Sequence, residues 1–127
     1  MSLNDYFEKT NGTGVLSTAD KQGKVNSALY ARPHVVKEGE LVFIMCDRLS
    51  HDNISVNPHA AYLFYEKGEG YRGKRFSLTK ISEETGDAKL AAFRRKCTEA
   101  ETGPNREKKF LVTFKINSER PLVGETE

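Results

Sequence analysis

Three segments in the middle of the chain, LVFIMC (41–46), DRLSHDNISVN (47–57) and PHAAYLFY (58–65), follow one another and determine its architecture. Leu41–Cys46 and Ala60–Tyr65 are continuously apolar over the length of a strand, and each predicts a β-strand. Between them, Ser50–Asn57 predicts a short helix that Ser50 caps and that ends before Pro58. The pattern is strand, turn, short helix and strand.

The other elements are predicted from spacing and turn residues. Apolar residues at helical spacing predict an N-terminal helix over Leu3–Lys9 and a longer one from about Gly86 to Thr102. Alternating patterns bounded by turns predict four further strands: Val15–Thr18, Lys24–Arg32, Tyr71–Ile81 and Phe110–Ile116. Six strands with tight turns and few helices favour a mainly β protein, a closed or nearly closed antiparallel barrel.

The two continuously apolar strands also bear on assembly. An antiparallel strand usually exposes one face to water, whereas Leu41–Cys46 and Ala60–Tyr65 offer no polar face. Their inner faces should fill the barrel, so a helix or a second subunit has to cover the outer faces. Because the sequence predicts one substantial helix, we expect a homodimer.

Composition narrows the class of protein. The chain has 127 residues, which suits a single domain spanning 1–127, and its formal charge of +2 does not call for a polyanionic partner. No apolar run reaches the roughly 20 residues of a membrane helix. The two cysteines, Cys46 and Cys97, form no pairing framework. We expect a cytoplasmic protein with free thiols.

The turn between the apolar strands has the chemistry of an anion site. A helix that begins near Ser50 leaves N–H groups without intrahelical partners, and its dipole favours a negative charge there. Arg48 can supply a forked cation, and Ser50 and His51 can donate hydrogen bonds. The structural alternative is an ordinary helix start with Ser50 as the N-cap and Arg48 in solvent. The residues alone leave both interpretations open.

Other kinds of functional site have less support in the sequence. His34 and His59 each follow a proline, and no pair of histidines has metal-ligand spacing, so no metal site is predicted. The chain contains no nucleophile elbow, P-loop or dinucleotide-binding glycine loop. Tyr62–Tyr65 and Tyr71 are core candidates that could also stack on a flat ligand. Basic clusters at 72–75, 94–96 and 108–109 leave a nucleic-acid-binding barrel as an alternative, but the aromatic residues are not interleaved with them.

The order of these segments resembles the pyridoxamine 5′-phosphate oxidase-like family of split barrels that bind flavin mononucleotide (FMN). The resemblance rests on Leu41–Cys46, on R-L-S-H-x-N-I at 48–54, on Asn57-Pro58, and on the strand that follows. The segment Asn26–Val36 takes the place of the family's other flavin-contacting strand. The resemblance covers about residues 3–82 well.

The resemblance implies a site for FMN at a subunit interface of a homodimer. It places Arg48, Ser50, His51 and Asn53 on the phosphate side. It places the backbone of Ile44, Met45, Cys46 and Asp47 beside the ring or ribityl chain, with Tyr30 and Arg32 as further contacts from the neighbouring strand. The turn lacks the lysine that the family often has after its serine, and Arg48 could replace that charge.

The resemblance also implies a function, a flavin-dependent oxidoreductase of unknown substrate. The C-terminal extension with which true pyridoxamine phosphate oxidases hold the vitamin has no counterpart, so we expect a different reaction. No general acid or base is assigned; Tyr30, His34 and Tyr71 are nearby candidates. A non-catalytic flavin store or redox sensor is the alternative, and related split barrels accept deazaflavin or haem.

Overall fold

The computed structural model describes residues 2–85 and 109–124 and shows one antiparallel sheet with two helices. The helices are α1 (Leu3–Lys9) and α2 (Leu49–Val56). The strands are β1 (Gly12–Ala19), β2 (Val25–Tyr30), β3 (Glu40–Cys46), β4 (His59–Glu66), β5 (Gly73–Glu84) and β6 (Lys109–Pro121).

The sheet curls into a split barrel. Its strand order is β2-β1-β4-β5-β6-β3, so β2 and β3 form the two edges. The chain that leaves β2 then meets β3, because His34 and Val42 exchange two backbone hydrogen bonds of 2.8 Å. This single bridge joins the two edges. The predicted mainly β, six-stranded antiparallel barrel is confirmed.

Aromatic rings fill the interior. Phe7 projects from α1 and is fully buried, with its ring centroid 5.3 Å from that of Phe64 and 5.9 Å from that of Phe76. Tyr62 lies between this group and Phe43, whose centroid is 4.9 Å away. Burial of such side chains contributes about 2–3 kcal/mol each, so Phe7 attaches α1 firmly to the barrel core.

Element boundaries differ from the predictions at several places. β2 ends at Tyr30, because Pro33 cannot donate to a strand ladder and the chain turns toward β3. β5 begins at Gly73, since Tyr71 lies in the preceding turn with 77% of its surface exposed. β5 then continues to Glu84, and β6 continues to Pro121.

The two apolar strands have different surroundings. On β3, Val42 packs with Leu111 of β6, and Ile44 packs against this pair, so the outer face of that strand is largely covered. On β4, the outward side chains Ala61 and Tyr65 are exposed. The outer face of β3 is therefore already largely buried within the chain, whereas the outer face of β4 is left exposed.

Some predictions fall on residues that the structure does not describe. They are the helix from Gly86 to Thr102, the basic cluster at 94–96, and Cys97. Among the described residues, no helix is both long enough and apolar enough to cross a membrane.

Candidate functional site at the start of helix α2

The turn from β3 leads into helix α2, whose N-terminus has no side-chain cap. The helix begins at Leu49, and Arg48 is the N-cap residue, with extended backbone and no capping hydrogen bond from its side chain. The prediction that Ser50 is the N-cap is wrong. Ser50 lies inside the first turn because Arg48 already accepts the first intrahelical bond, from Asp52 N–H at 2.9 Å. The N–H groups of this turn have no intrahelical acceptors.

The Ser50 hydroxyl faces Tyr30 of β2. Ser50 is 5% exposed, and its side chain is hydrogen-bonded to the Tyr30 phenol. Burial raises the pKa of Tyr30 to about 12, although the Ser50 hydrogen bond and the charge of Arg48 act to lower it. Tyr30 is therefore protonated at neutral pH and can donate a hydrogen bond. The structure brings together Tyr30, Cys46, Arg48 and Ser50.

The last residues of β3 present an open backbone edge beside this group. Val42 directs its N–H and C=O to His34, and alternate residues of a strand point their backbone groups to the same side. Ile44 therefore directs its N–H and C=O to that side, and no described residue bonds to them. The carbonyl of Cys46, on the same side, accepts the Arg48 N–H at 2.9 Å.

Side chains in this part of β3 point to different environments. Met45 is fully buried in the barrel core, and Ile44 packs on the outer cluster with Val42. Cys46 is half-buried and Asp47 is exposed. Ile44 and Met45 can therefore offer a ligand mainly their backbone.

Asn53 anchors α2 to the barrel. Its amide donates to the Thr18 hydroxyl of β1 at 3.0 Å, and the two residues are 5% and 3% exposed. One turn later, Asn57 donates from its side chain to the carbonyl of Asp20 at 3.2 Å. These bonds fix the helix against β1 and the turn that follows it, and they direct the Asn53 amide at Thr18.

His51 joins α2 to the other side of the barrel. Its ring stacks on Phe110 of β6, with centroids 3.8 Å apart and planes 9° from parallel. Its Nε2 lies 3.1 Å from Oε1 of Glu83 on β5, which also accepts from Lys80 at 2.8 Å. Burial raises the pKa of Glu83, but hydrogen bonds from Lys80 and His51 outweigh it, and the net displacement is downward.

Arg32 lies at the other helix. Its Nη1 donates to the carbonyls of Phe7 at 2.8 Å and Thr10 at 3.0 Å, and both carbonyls belong to the C-terminal end of α1. A cation there also complements the negative end of the helix dipole. In this chain Arg32 holds α1 in place, whereas the resemblance implies a cofactor contact.

The predicted site residues thus divide into two groups. Tyr30, Arg48 and Ser50 meet at the start of α2, with the open backbone edge of β3 beside them. Asn53 and Arg32 have structural hydrogen bonds. Of the other candidate acids and bases, Tyr71 is exposed in another turn, and His34 pairs with Val42 of β3 through its backbone.

Sequence reasoning missed the partners that position α2. Thr18, Glu83 and Phe110 each contact a residue of the helix from a distant part of the chain. The sequence predicts Phe110 only as a residue of the last strand. Nothing in the spacing of Thr18 or Glu83 relates them to the helix, since sequence separation hides contacts across a barrel.

We compared the chain with family models, with curated proteins and with solved structures. No family model matches the chain, and no curated protein matches it. Solved structures do match along nearly the whole chain. The protein has the split-barrel fold of FMN-binding and pyridoxamine 5′-phosphate oxidase-like proteins.

Three of these structures illustrate the class. An FMN-binding protein from Syntrophomonas wolfei has a TM-score of 0.72 at 15% identity, over 94% of this chain and 83% of that one. A provisionally assigned pyridoxamine 5′-phosphate oxidase from Lactobacillus delbrueckii has a TM-score of 0.69 at 17% identity, over 94% and 92%. HutZ, the heme storage protein of Vibrio cholerae, has a TM-score of 0.64 at 16% identity, over 94% and 91%.

Proposed function

We propose that this protein binds FMN at the start of α2 and acts as a flavin-dependent oxidoreductase. The observation that carries the proposal is the helix start itself. Arg48 stands at an N-terminus without a side-chain cap, beside the buried hydroxyl of Ser50. Helix N-termini with a nearby cation and hydroxyl suit a phosphate. An FMN-binding protein with the same fold supports the choice of ligand.

The residues have distinct roles in this proposal. The Arg48 guanidinium and the first N–H groups of α2 hold the phosphate. Ser50 donates to a phosphate oxygen while Tyr30 fixes the orientation of its hydroxyl. The N–H and C=O of Ile44, to which no described residue bonds, are available to polar atoms of the ring or the ribityl chain. Asn53 and His51 support the phosphate side by holding α2, and they need not touch the ligand.

FMN, when bound, supplies the electron-transfer chemistry, and the protein sets its orientation and electrostatics. Tyr30 of β2 lies next to the proposed phosphate position and is protonated at neutral pH. Its raised pKa suits it to donate a hydrogen bond and not to act as a base at neutral pH. The reaction partner has to be identified by assay, with a reduced nicotinamide as the first donor to test.

Titration of the cofactor-free protein with FMN tests the ligand. We expect quenching of flavin fluorescence with 1:1 stoichiometry. Arg48→Ala should weaken binding about ten- to a hundred-fold, because a charge-assisted hydrogen bond contributes about 1.5–3 kcal/mol. Ser50→Ala should weaken it by a smaller factor. Arg72→Ala removes an exposed arginine from another turn and serves as the control.

The outcomes of this titration separate the candidates. Absence of FMN binding in the unsubstituted protein contradicts the proposal. Equal affinity of the Arg48 and Arg72 variants moves the phosphate away from α2. Parallel titrations with a deazaflavin and with haem test the other ligands, and haem needs the comparison because a heme storage protein shares the fold.

A second experiment tests turnover. The FMN-loaded protein is mixed anaerobically with NADH or NADPH, and the visible flavin absorption is followed. Bleaching that oxygen reverses indicates an oxidoreductase. Tight FMN binding without bleaching by these or other donors instead favours a flavin store or redox sensor on the same scaffold.

The proposal includes a homodimer formed through the outer face of β2, β1 and β4. Leu29, Val15 and Leu63 are aligned across these three strands by the strand register, and Leu29 is 75% exposed. Val25, on the same face of β2, is 74% exposed. Ser17 and Ser27 lie between Val25 and this apolar row. Exposed apolar side chains aligned on one sheet face are typical of an interaction surface. A second copy is the proposed partner, with FMN at the interface between subunits.

Light scattering coupled to size-exclusion chromatography tests the assembly. We expect twice the chain mass for the unsubstituted protein and the mass of a single chain for Leu29→Glu. Val36→Glu is the matched control, because Val36 is 68% exposed but lies outside the strands of this face. Dimers in both variants place the interface elsewhere.

Nucleic-acid binding has less support in the structure than in the sequence. Lys74 is paired with Glu119 at 2.7 Å, and Arg75 donates to the carbonyls of Pro121 and Gly124. These cations are engaged within the protein, so they do not form an uncommitted basic stripe.

A further inference from the structure

Beside the proposed phosphate position, the start of α2 brings together Asp47, His51 and Asp52. Each offers one ligand atom, and the three atoms lie within 4.8 Å of one another. Asp47 and His51 are four residues apart, one turn of helix, and Oδ1 of Asp47 is 3.9 Å from Nδ1 of His51. An imidazole with two carboxylates is a common donor set for divalent transition metals.

The imidazole nitrogen that faces the carboxylates has no hydrogen bond. His51 is 8% exposed, and its Nδ1 has no hydrogen-bonding partner among the described residues. The Asp47 oxygen at 3.9 Å is beyond hydrogen-bond distance. Nδ1 of this mostly buried ring therefore faces Asp47 without a hydrogen bond to any described residue. A bound cation would give this nitrogen a partner.

The other ring nitrogen is arranged as it is in many metal sites. Nε2 of His51 lies 3.1 Å from Glu83, and a metal-ligating histidine commonly donates its second N–H to a carboxylate. Lys80 also donates to Glu83 and holds the carboxylate in its ionised form. With the proton on Nε2, the lone pair of Nδ1 is directed toward the acids. The stacked ring of Phe110 fixes this orientation.

We propose that Asp47, His51 and Asp52 bind a divalent first-row transition ion of the Zn²⁺ type, with Glu83 orienting the imidazole. Two ligands at about 2.1 Å from zinc can be at most about 4.2 Å apart. The 3.9 Å between Asp47 and His51 is within this limit, whereas the 4.8 Å bound on all three atoms exceeds it, so binding requires the exposed aspartates to move closer. Asp47 has 56% of its side chain exposed and can move closer. The two carboxylates offset the unfavourable helix dipole, and three protein ligands leave a position open to water or an anion.

Zn²⁺ and Co²⁺ titrations of the chelator-treated protein, without FMN, test the site. Calorimetry should give one Zn²⁺ per chain. Asp47→Asn and Asp52→Asn should each lower the affinity at least tenfold, and they alter exposed side chains that the fold does not need. Glu83→Gln should lower it by about ten- to a hundred-fold, the usual effect of an outer-shell partner.

The control variants change the same types of residue at positions outside the proposed metal site. Asp5→Asn changes the acid in the first turn of α1, and His59→Gln changes an exposed histidine elsewhere. Both should bind Zn²⁺ like the unsubstituted protein. The aspartate variants carry the test because His51→Ala also removes a buried stacked ring.

Three results overturn the proposal. The first is an absence of Zn²⁺ binding, and the second is an unchanged affinity in both aspartate variants. The third is sulfur-to-metal charge transfer in the Co²⁺ spectrum, which would assign the ion to a cysteine. Because the titrations contain no FMN, failure of the metal site leaves the FMN proposal standing, and failure of FMN binding leaves the metal site standing.

Discussion

Removing the buried hydrogen bond between Asn53 and Thr18 should loosen α2 from the barrel. The bond is 3.0 Å long, and both side chains are almost fully buried. Asn53→Ala leaves the Thr18 hydroxyl without its donor, which costs about 1–3 kcal/mol. We therefore expect the free energy of unfolding to fall by about 2 kcal/mol. For a chain of this size, that corresponds to a decrease in Tm of about 8 °C.

A double-mutant cycle in urea measures the bond itself. Thr18→Val also leaves one partner unsatisfied, whereas the combination of Asn53→Ala and Thr18→Val removes both partners. The two single losses should then exceed the double loss by about 1 kcal/mol. Ser55→Ala is the control, because Ser55 bonds to the backbone of the same helix from an exposed position. It should change stability by less than about 0.5 kcal/mol. Additive losses at 53 and 18, within about 0.3 kcal/mol, refute the reasoning.

Further substitutions test other parts of the structure. Arg32→Ala should destabilise the protein by about 1–2 kcal/mol through the lost C-terminal contacts of α1; its FMN affinity should stay unchanged, and a large loss of affinity would return Arg32 to the cofactor site. Gly14→Ala should destabilise by about 1–3 kcal/mol in urea, because a Cβ there would overlap the buried Tyr62 hydroxyl; a neutral result contradicts this packing. Because folding raises the pKa of Tyr30, its contribution to the free energy of unfolding is fully present below pH 10, the ordinary value, and is lost as the pH rises through about 12. Tyr30→Phe should therefore flatten the alkaline part of a plot of the free energy of unfolding against pH.

Much of the fold could be predicted from local signals. Continuous apolar runs, alternating patterns and turn residues located six strands and two of the helices, because these signals act over only a few residues. Tyr71 was assigned to a strand because it is a good strand former, yet the tight turn with Gly68 and Gly70 at positive φ extends to it. Ser50 was assigned as a cap because it is a favoured cap residue, yet the helix starts before it.

The site could be predicted only in part. The turn at 47–53 is a candidate from the sequence alone, because a helix start with a nearby arginine and serine is a local feature, but the absence of a side-chain cap is seen only in the structure. The roles of individual side chains within it depend on distant partners. Asn53 faces Thr18, His51 faces Glu83, and Arg32 reaches α1. A single sequence does not distinguish a polar residue that binds a ligand from a polar residue that is hydrogen-bonded across the core.

The bridge between His34 and Val42 has a consequence for solubility. An unpaired strand edge can recruit strands from other molecules and so start aggregation. Here the bridge occupies one end of the free edge of β3, and the Cys46–Arg48 turn occupies the other. What lies between is the backbone of Ile44 and the N–H of Cys46, two donors and one acceptor. That length can serve the polar atoms of a small molecule, and it is too short to template the addition of another strand.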